Sequence, residues 1–227
     1  MWNWTEDKIK LDIIWIRHGM TVSNEQHRYL GRTEEELSKK GITLLEKNKE
    51  WYPLQDNRFL YASPMKRCIQ TAEILFGKHP VLIPEWREMD FGLFEGKNYL
   101  DLKDNADYQK WIDSNGTLPF PGGESRSQFM KRSMDGFSFL LLDILKKLDT
   151  NMLQKENQKV RQEKEAAVTA VVHGGTIMAV LSTLTGGEYF DFQVRNGEGY
   201  HTILTWKKDK IVVEHCEKCV FHGLTDT

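Results

Sequence analysis

Leu11-Asp12-Ile13-Ile14-Trp15-Ile16 runs straight into Arg17-His18-Gly19, and the reading of this stretch decides the fold. Leu11 to Ile16 is a β-branched, apolar run without polar alternation, the pattern of a strand buried inside a sheet. Such strands belong to sheets covered on both faces. The run breaks off at a guanidinium, an imidazole and a glycine, at the carboxyl end where open α/β sheets present their ligands.

The same pattern recurs outward from this point. Ala166 to Val172 is a second apolar run, ending in His173-Gly174-Gly175 before a helical stretch from Thr176 to Leu184. Arg58 to Ala62 reads as a short strand. Ser63-Pro64 after it reads as an N-cap with proline at the first helical position, opening a helix that carries Ile69, Ala72, Ile74 and Leu75 to Gly77. Val81 to Ile83 is another brief strand, and Ser38 opens an amphipathic helix through Ile42, Leu45 and Trp51. Asn98 to Asp113 is predicted helical, and Leu118 to Gly123 (LPFPGG) is a break. Ser125 and Gln128 form a capping-box pattern ahead of the longest helix, with Phe129, Phe137, Leu140, Leu141, Ile144, Leu145 and Leu148 on one face. Tyr200 to Trp206 and Ile211 to His215, joined by KKDK, predict a closing hairpin. Strands alternating with helices imply an α/β fold: a three-layer αβα sandwich around a mostly parallel sheet.

At 227 residues the chain suits one domain over 1–227, with a lid or insertion at about 97–123 and a polar linker or solvated helix extension at 150–165. Its 31 basic and 33 acidic residues leave a net charge of -2, so the overall field gives no reason to expect nucleic acid or an anionic membrane as partner. The apolar runs Phe137 to Leu142 and Ala166 to Val172 are far short of the roughly 20 residues that cross a bilayer. The N-terminal residues show no secretory pattern, and the cysteines Cys68, Cys216 and Cys219 are an odd number, which together favour a reducing cytoplasm.

An imidazole beside a guanidinium, with a glycine allowing close backbone approach, suits a histidine nucleophile facing an anion. His18 and Arg17 supply that pair, and His173 leaves a second strand in the same way. Arg67 falls in the first turn of its helix, where side-chain charge and helix N-terminus both favour a phosphate. Taken singly each is ordinary; together they place two histidines and two arginines at strand-to-helix junctions. Glu88 and Asp90, on the loop Trp86 to Gly92, are candidates for protonating a leaving alkoxide.

Arg17 to Asn24 (RHGMTVSN), Ser63 to Ala72 (SPMKRCIQTA), Trp86 to Gly96 (WREMDFGLFEG), Pro121 to Ser125 (PGGES) and Val171 to Gly175 (VVHGG) together resemble the histidine phosphatase superfamily in its phosphoglycerate mutase-like branch. Within it the chain is most similar to the alpha-ribazole phosphatase-like group. The resemblance implies a phosphoglycerate mutase-like fold and a metal-independent phosphomonoesterase without cofactor. In it His18 becomes phosphorylated, Arg17, Arg67 and His173 clamp the phosphoryl oxygens, and Glu88 acts as general acid and then base. It also assigns Asn24, Leu30, Gly31 and Gly174 to substrate binding, and a small phosphorylated metabolite, with alpha-ribazole 5'-phosphate as candidate, as the partner. A homodimer is left open.

Met20, Leu30, Glu34 and Glu36 depart from the common pattern, which bears on the substrate and not on the chemistry. Two alternatives stand beside this reading. A cofactor-dependent phosphoglycerate mutase of this branch would carry paired arginines after Gly96, where residues 97–123 hold Lys97, Lys103 and Lys110 and no arginine. A non-catalytic module binding phosphorylated ligands would be expected to lack the nucleophile or the acid. Tyr99, Tyr108, Trp111 and Phe120 are either a stacking surface for a ring-bearing substrate or the lid's own small core. Cys216, Cys219 and His222 have zinc-competent chemistry but form only half of the usual ligand set, so no metal is assigned.

Overall fold

A computed structural model describes residues 8–52, 58–153, 164–207 and 210–219. In chain order the elements are β1 (Lys8–Arg17), α1 (Val22–Glu25), α2 (Lys39–Lys47), β2 (Phe59–Ala62), α3 (Lys66–Phe76), β3 (Val81–Leu82), α4 (Tyr99–Leu102), α5 (Ala106–Asp113), α6 (Arg126–Leu153), β4 (Lys164–Val172), α7 (Gly174–Thr185), β5 (Gly199–Lys207) and β6 (Lys210–Cys219). They form a six-stranded sheet of order β3-β2-β4-β1-β5-β6. Pairings from β3 through β1 are parallel, and β5 and β6 join antiparallel.

The apolar runs are buried on both sides, as their composition requires. On one face Ile13, Trp15, Val168 and Ala170 meet Phe137, Leu140 and Ile144 of α6 and Ile177 and Val180 of α7. On the other, Ile14, Ile16, Ala62 and Val171 meet Leu45 of α2 and Cys68, Ala72 and Leu75 of α3. The three-layer αβα expectation therefore holds, with a sheet more mixed than mostly parallel strands alone would give. No helix among the described residues is long and apolar enough to cross a membrane.

Local expectations fare unevenly. Ser38 caps α2 through Gly41 N–H, and Ser125 and Gln128 make their reciprocal cap at the start of α6. The stretch 98–113 is two short helices, each opened by an asparagine cap, Asn98 and Asn105. The Ser63-Pro64 cap is a misreading: α3 begins at Lys66 after Met65, and the Ser63 hydroxyl is engaged by a buried histidine instead. Of the polar stretch 150–165, residues 154–163 lie outside the described residues, and β4 begins at Lys164.

Candidate active site

Register brings the two histidines together. Arg17 closes β1 opposite Val172 at the end of β4, so the residues that follow, His18 and His173, leave the sheet side by side. Their rings stand 5.2 Å apart, and His18 N–H donates to Val172 O at 2.9 Å. His173 then caps α7, placing Gly174 in its first turn, where free N–H groups and the helix dipole favour an anion.

His18 is held with one ring nitrogen bonded and the other open. Its Nδ1 lies 2.7 Å from Gly19 O, and a carbonyl only accepts, so Nδ1 carries the proton and Nε2 keeps the lone pair. Burial, reinforced by the charges of Arg67 and Arg17, pushes its pKa well below the ordinary histidine value, so the ring is neutral. Gly19 N–H donates to Thr71 Oγ1 (2.9 Å), which ties this loop to α3. Across from it, His173 Nε2 lies 2.7 Å from Ser63 Oγ. That oxygen accepts from Met65 N–H at 3.4 Å, freeing the hydroxyl proton for His173 Nε2 and leaving His173 Nδ1 to donate into the site.

Both arginines are anchored through some of their N–H groups and keep others unused. Arg67, fully buried, donates from Nη1 to Thr33 O (3.0 Å) and from Nη2 to Gly31 O (2.8 Å), while Arg17 Nη1 donates to Val194 O at 2.7 Å. The Nε of each is buried with no partner among the described residues. Unpaired buried donors of this kind are costly unless an anion meets them. Two fixed positive charges beside neutral imidazoles match a phosphate dianion, although the whole chain is nearly neutral.

The loop from 31 to 33 that holds Arg67 is itself held by Glu95, whose Oε1 accepts from Gly31 N–H (2.8 Å) and Thr33 N–H (3.0 Å). A Cβ at Gly31 would lie 2.1 Å from Met89 O and 2.7 Å from Glu95 Oε2, a backbone clash that must push the loop away. Gly31→Ala should therefore lower kcat/KM for p-nitrophenyl phosphate by roughly 10-fold or more through displaced Arg67, since misplacements of about 1 Å can cost about 100-fold. Steady-state kinetics beside a thermal melt check this, and an unchanged kcat/KM would contradict it.

Glu88, not Asp90, faces the histidines. Its Oε1 accepts from Met89 N–H (2.9 Å) and its Oε2 lies 3.8 Å from His173 Nδ1. Burial raises its pKa, against the opposing pull of the Met89 N–H and of Arg67 and Arg17. Asp90 turns away to Arg32 (3.2 Å) and Gly92 N–H (3.0 Å). Asn24 sits beside the His18 loop through Asn196, whose Nδ2 reaches both Asn24 Oδ1 (3.0 Å) and His18 O (3.1 Å). Leu30 is buried next to Gly31. Sequence reasoning misses Asn196, Thr71 and Glu95; Thr71 and Glu95 lie inside the motifs Ser63 to Ala72 and Trp86 to Gly96, whereas Asn196 lies in none.

Of the aromatics at 97–123, Tyr108 and Phe120 are buried with Phe94 and Phe129, and Trp111 packs against this cluster. The small-core alternative describes them, while Tyr99 is largely exposed. Cys216 and Cys219 lie on β6 and pack into the cores on opposite faces of the sheet. Strand geometry thus separates the pair, and His222 lies outside the described residues. No cluster of potential metal ligands occurs among the described residues.

The pattern of the histidine phosphatase superfamily (branch 1) matches residues 13–218, and the chain belongs to this family. Among curated relatives, the metal-independent phosphoserine phosphatase of Arabidopsis thaliana is 27% identical over 80% of this chain and 74% of its own. A solved phosphoserine phosphatase mutant from Entamoeba histolytica, in complex with phosphoserine, superposes with TM-score 0.66 at 26% identity over 96% of this chain and all (100%) of its own. A solved structure from Escherichia coli, provisionally assigned as an alpha-ribazole-5'-P phosphatase, gives TM-score 0.66 over 92% and 95% of the two chains; at 20% identity that likeness speaks to the fold alone.

Proposed function

We propose that the protein is a metal-independent phosphomonoesterase that works through a phosphohistidine on His18. The observation that carries this is the neutral His18 ring, its Nδ1–H fixed on Gly19 O, flanked by two guanidiniums with unpaired buried Nε groups. His18 Nε2 attacks phosphorus as the ester P–O bond breaks, and the Glu88 proton passes to the departing alkoxide, releasing an alcohol. Water then attacks the phosphohistidine, giving a proton to the Glu88 carboxylate as the P–N bond breaks. Inorganic phosphate leaves and both groups return to their starting forms. Arg17, Arg67 and His173 Nδ1–H stabilise the charge on the transferring oxygens throughout, the part played by divalent cations in many other phosphoryl-transfer sites.

Asn24, Leu30, Gly31 and Gly174 are the proposed substrate contacts, and the segment 97–123 is the proposed cover that selects the leaving group. The phosphoserine named for two relatives and alpha-ribazole 5'-phosphate from the family resemblance are the first substrates to try. The absence of arginine in 97–123 speaks against the mutase, and the presence of both nucleophile and acid speaks against a mere binding module.

The test is hydrolysis of p-nitrophenyl phosphate in excess EDTA, followed by ranking phosphoserine, alpha-ribazole 5'-phosphate and 3-phosphoglycerate by kcat/KM. Activity should survive the chelator undiminished and give an acid-labile, alkali-stable phosphoenzyme. Loss in EDTA restored by added cation, or conversion of 3- to 2-phosphoglycerate primed by 2,3-bisphosphoglycerate with no net hydrolysis, would overturn the reading.

A further inference from the structure

The loop that carries Glu88 makes few backbone bonds of its own; Trp86 and Arg87 N–H close turns onto Ile83 O and Pro84 O. Its carbonyls point instead at one side chain. Arg132, on the second turn of α6, donates from Nη1 to Glu85 O (2.6 Å) and Arg87 O (2.8 Å), with Nη2 at 3.5 Å from Glu88 O. The other edge of the same guanidinium makes a two-point contact with Glu124, Nε to Oε1 at 3.1 Å and Nη2 to Oε2 at 2.8 Å. Glu124 closes the far end of the loop, its N–H donating to Asp90 O (2.9 Å) and its Oε2 accepting from Asp90 N–H (3.4 Å).

The remaining contacts make this grip rigid. The Arg132 guanidinium lies 5.0 Å over the Phe129 ring, and that ring stands at 3.1 Å from where a Cβ on Gly175 would be, a point also 2.7 Å from Glu88 Oε1. Trp86 enters a notch one turn further along α6, with its indole N–H on Ser133 O (3.2 Å) and no room for a Cβ at Gly136, which would come within 2.6 Å of the ring. One helix therefore holds the acid loop through three positions within about one turn, 132, 133 and 136.

We infer that Arg132, fixed by Glu124, is the positioning residue for the general acid, locking residues 85–88 so that the Glu88 carboxyl stays against the leaving-group side of the site. The inference rests on the reading of Glu88 as that acid. A guanidinium is required because its planar fork can meet three carbonyls and a carboxylate at fixed angles; an ammonium of the same charge cannot. Proton donation matters most when the leaving alkoxide is poorly stabilised, and kcat/KM reports only steps through transfer to His18. The loss should therefore depend on leaving group.

The experiment measures kcat/KM for Arg132→Lys and Glu124→Gln on an alkyl phosphate and on p-nitrophenyl phosphate, alone and combined with Glu88→Gln, with circular dichroism and thermal melts as folding controls. Arg132→Lys should lose roughly 100-fold on the alkyl ester and only a few-fold on the aryl ester, the scale of general acid catalysis. Glu124→Gln should lose less in the same direction, and Arg132→Lys should add little once Glu88 is Gln. Equal losses on both esters, a full additional loss in the Glu88→Gln background, or no loss would overturn the positioning role. Failure of Glu88→Gln itself to discriminate between the esters would instead overturn the acid assignment.

Discussion

Replacing His18 with Ala is expected to abolish turnover, with kcat/KM falling by at least about 10⁴-fold, the scale on which removing a catalytic nucleophile acts. The side chain is almost fully buried, its Nε2 keeps its lone pair, and the Arg67 and Arg17 charges act on the ring. Because the imidazole is neutral, its removal leaves the positive charge of the site intact. Inorganic phosphate should therefore still bind and still protect the variant thermally, whereas rapid-quench labelling should find no phosphohistidine. A variant that keeps even a few per cent of wild-type activity, or a wild-type label on another residue, would exclude the mechanism.

The same substitution has a signature in stability. In the folded protein His18 titrates well below its ordinary value of 6.5, while in the unfolded chain it titrates near that value. Below about pH 6.5 the unfolded state thus binds more protons than the folded state, and stability falls as the solution is acidified. His173, also held well below its ordinary value by burial and Arg67, adds a second such group. His18→Ala removes one of the two. The wild-type melting temperature should drop more steeply than the variant's as pH falls below about 6.5; parallel slopes would show that His18 is not held neutral.

What could be read in advance follows from what is local. Buried strands announce themselves by composition, so β1 and β4, and with them the emergence of Arg17-His18 and His173 at strand ends, were legible in the sequence. Their meeting required the parallel register of two strands more than a hundred residues apart, which alternation of strand and helix implies only in outline. Ser63 shows where local reading fails. A serine before a proline has the chemistry of a helix cap, but His173 presented a buried acceptor at 2.7 Å, and the tertiary bond took the hydroxyl. Cys216 and Cys219 fail in the opposite sense: their spacing suggests a shared ligand, whereas extended backbone sends them to opposite faces. Arg132 and Asn196 lie outside every motif, and Glu95 lies inside one without a legible role, because each collects backbone groups remote in sequence. The segment 97–123 was ambiguous for a related reason, since an aromatic cluster looks the same in composition whether it binds a ring or packs on itself.

Glu88→Gln should separate function from stability in opposite directions. The carboxyl is buried, and its raised pKa means that carrying a proton is easier there than in water, despite the Met89 N–H and the guanidiniums that favour its ionised form. A bound phosphate dianion offsets those guanidinium charges, so substrate itself helps load the proton that the leaving group will take. Gln keeps the shape and the acceptor for Met89 N–H but has no proton of that acidity. On alkyl phosphates kcat/KM should fall by roughly 10²–10⁴-fold, and the alkaline limb of its pH profile, set by loss of the Glu88 proton, should disappear. On p-nitrophenyl phosphate the first transfer should be nearly intact, yet hydrolysis of the phosphohistidine lacks its base. The variant should then release a burst of p-nitrophenolate stoichiometric with enzyme and stall as phosphoenzyme. For stability the sign reverses. A carboxyl whose folded pKa is raised supports folding fully below its unfolded value of about 4.3, and that support is lost as pH rises through the folded value. At neutral pH the wild type holds a buried carboxyl that would rather ionise in water, and Gln does not. The variant should melt at a higher temperature than wild type near neutrality, with the gap closing as pH falls towards about 4. A slower enzyme with no burst and no gain in melting temperature would place the proton donor elsewhere.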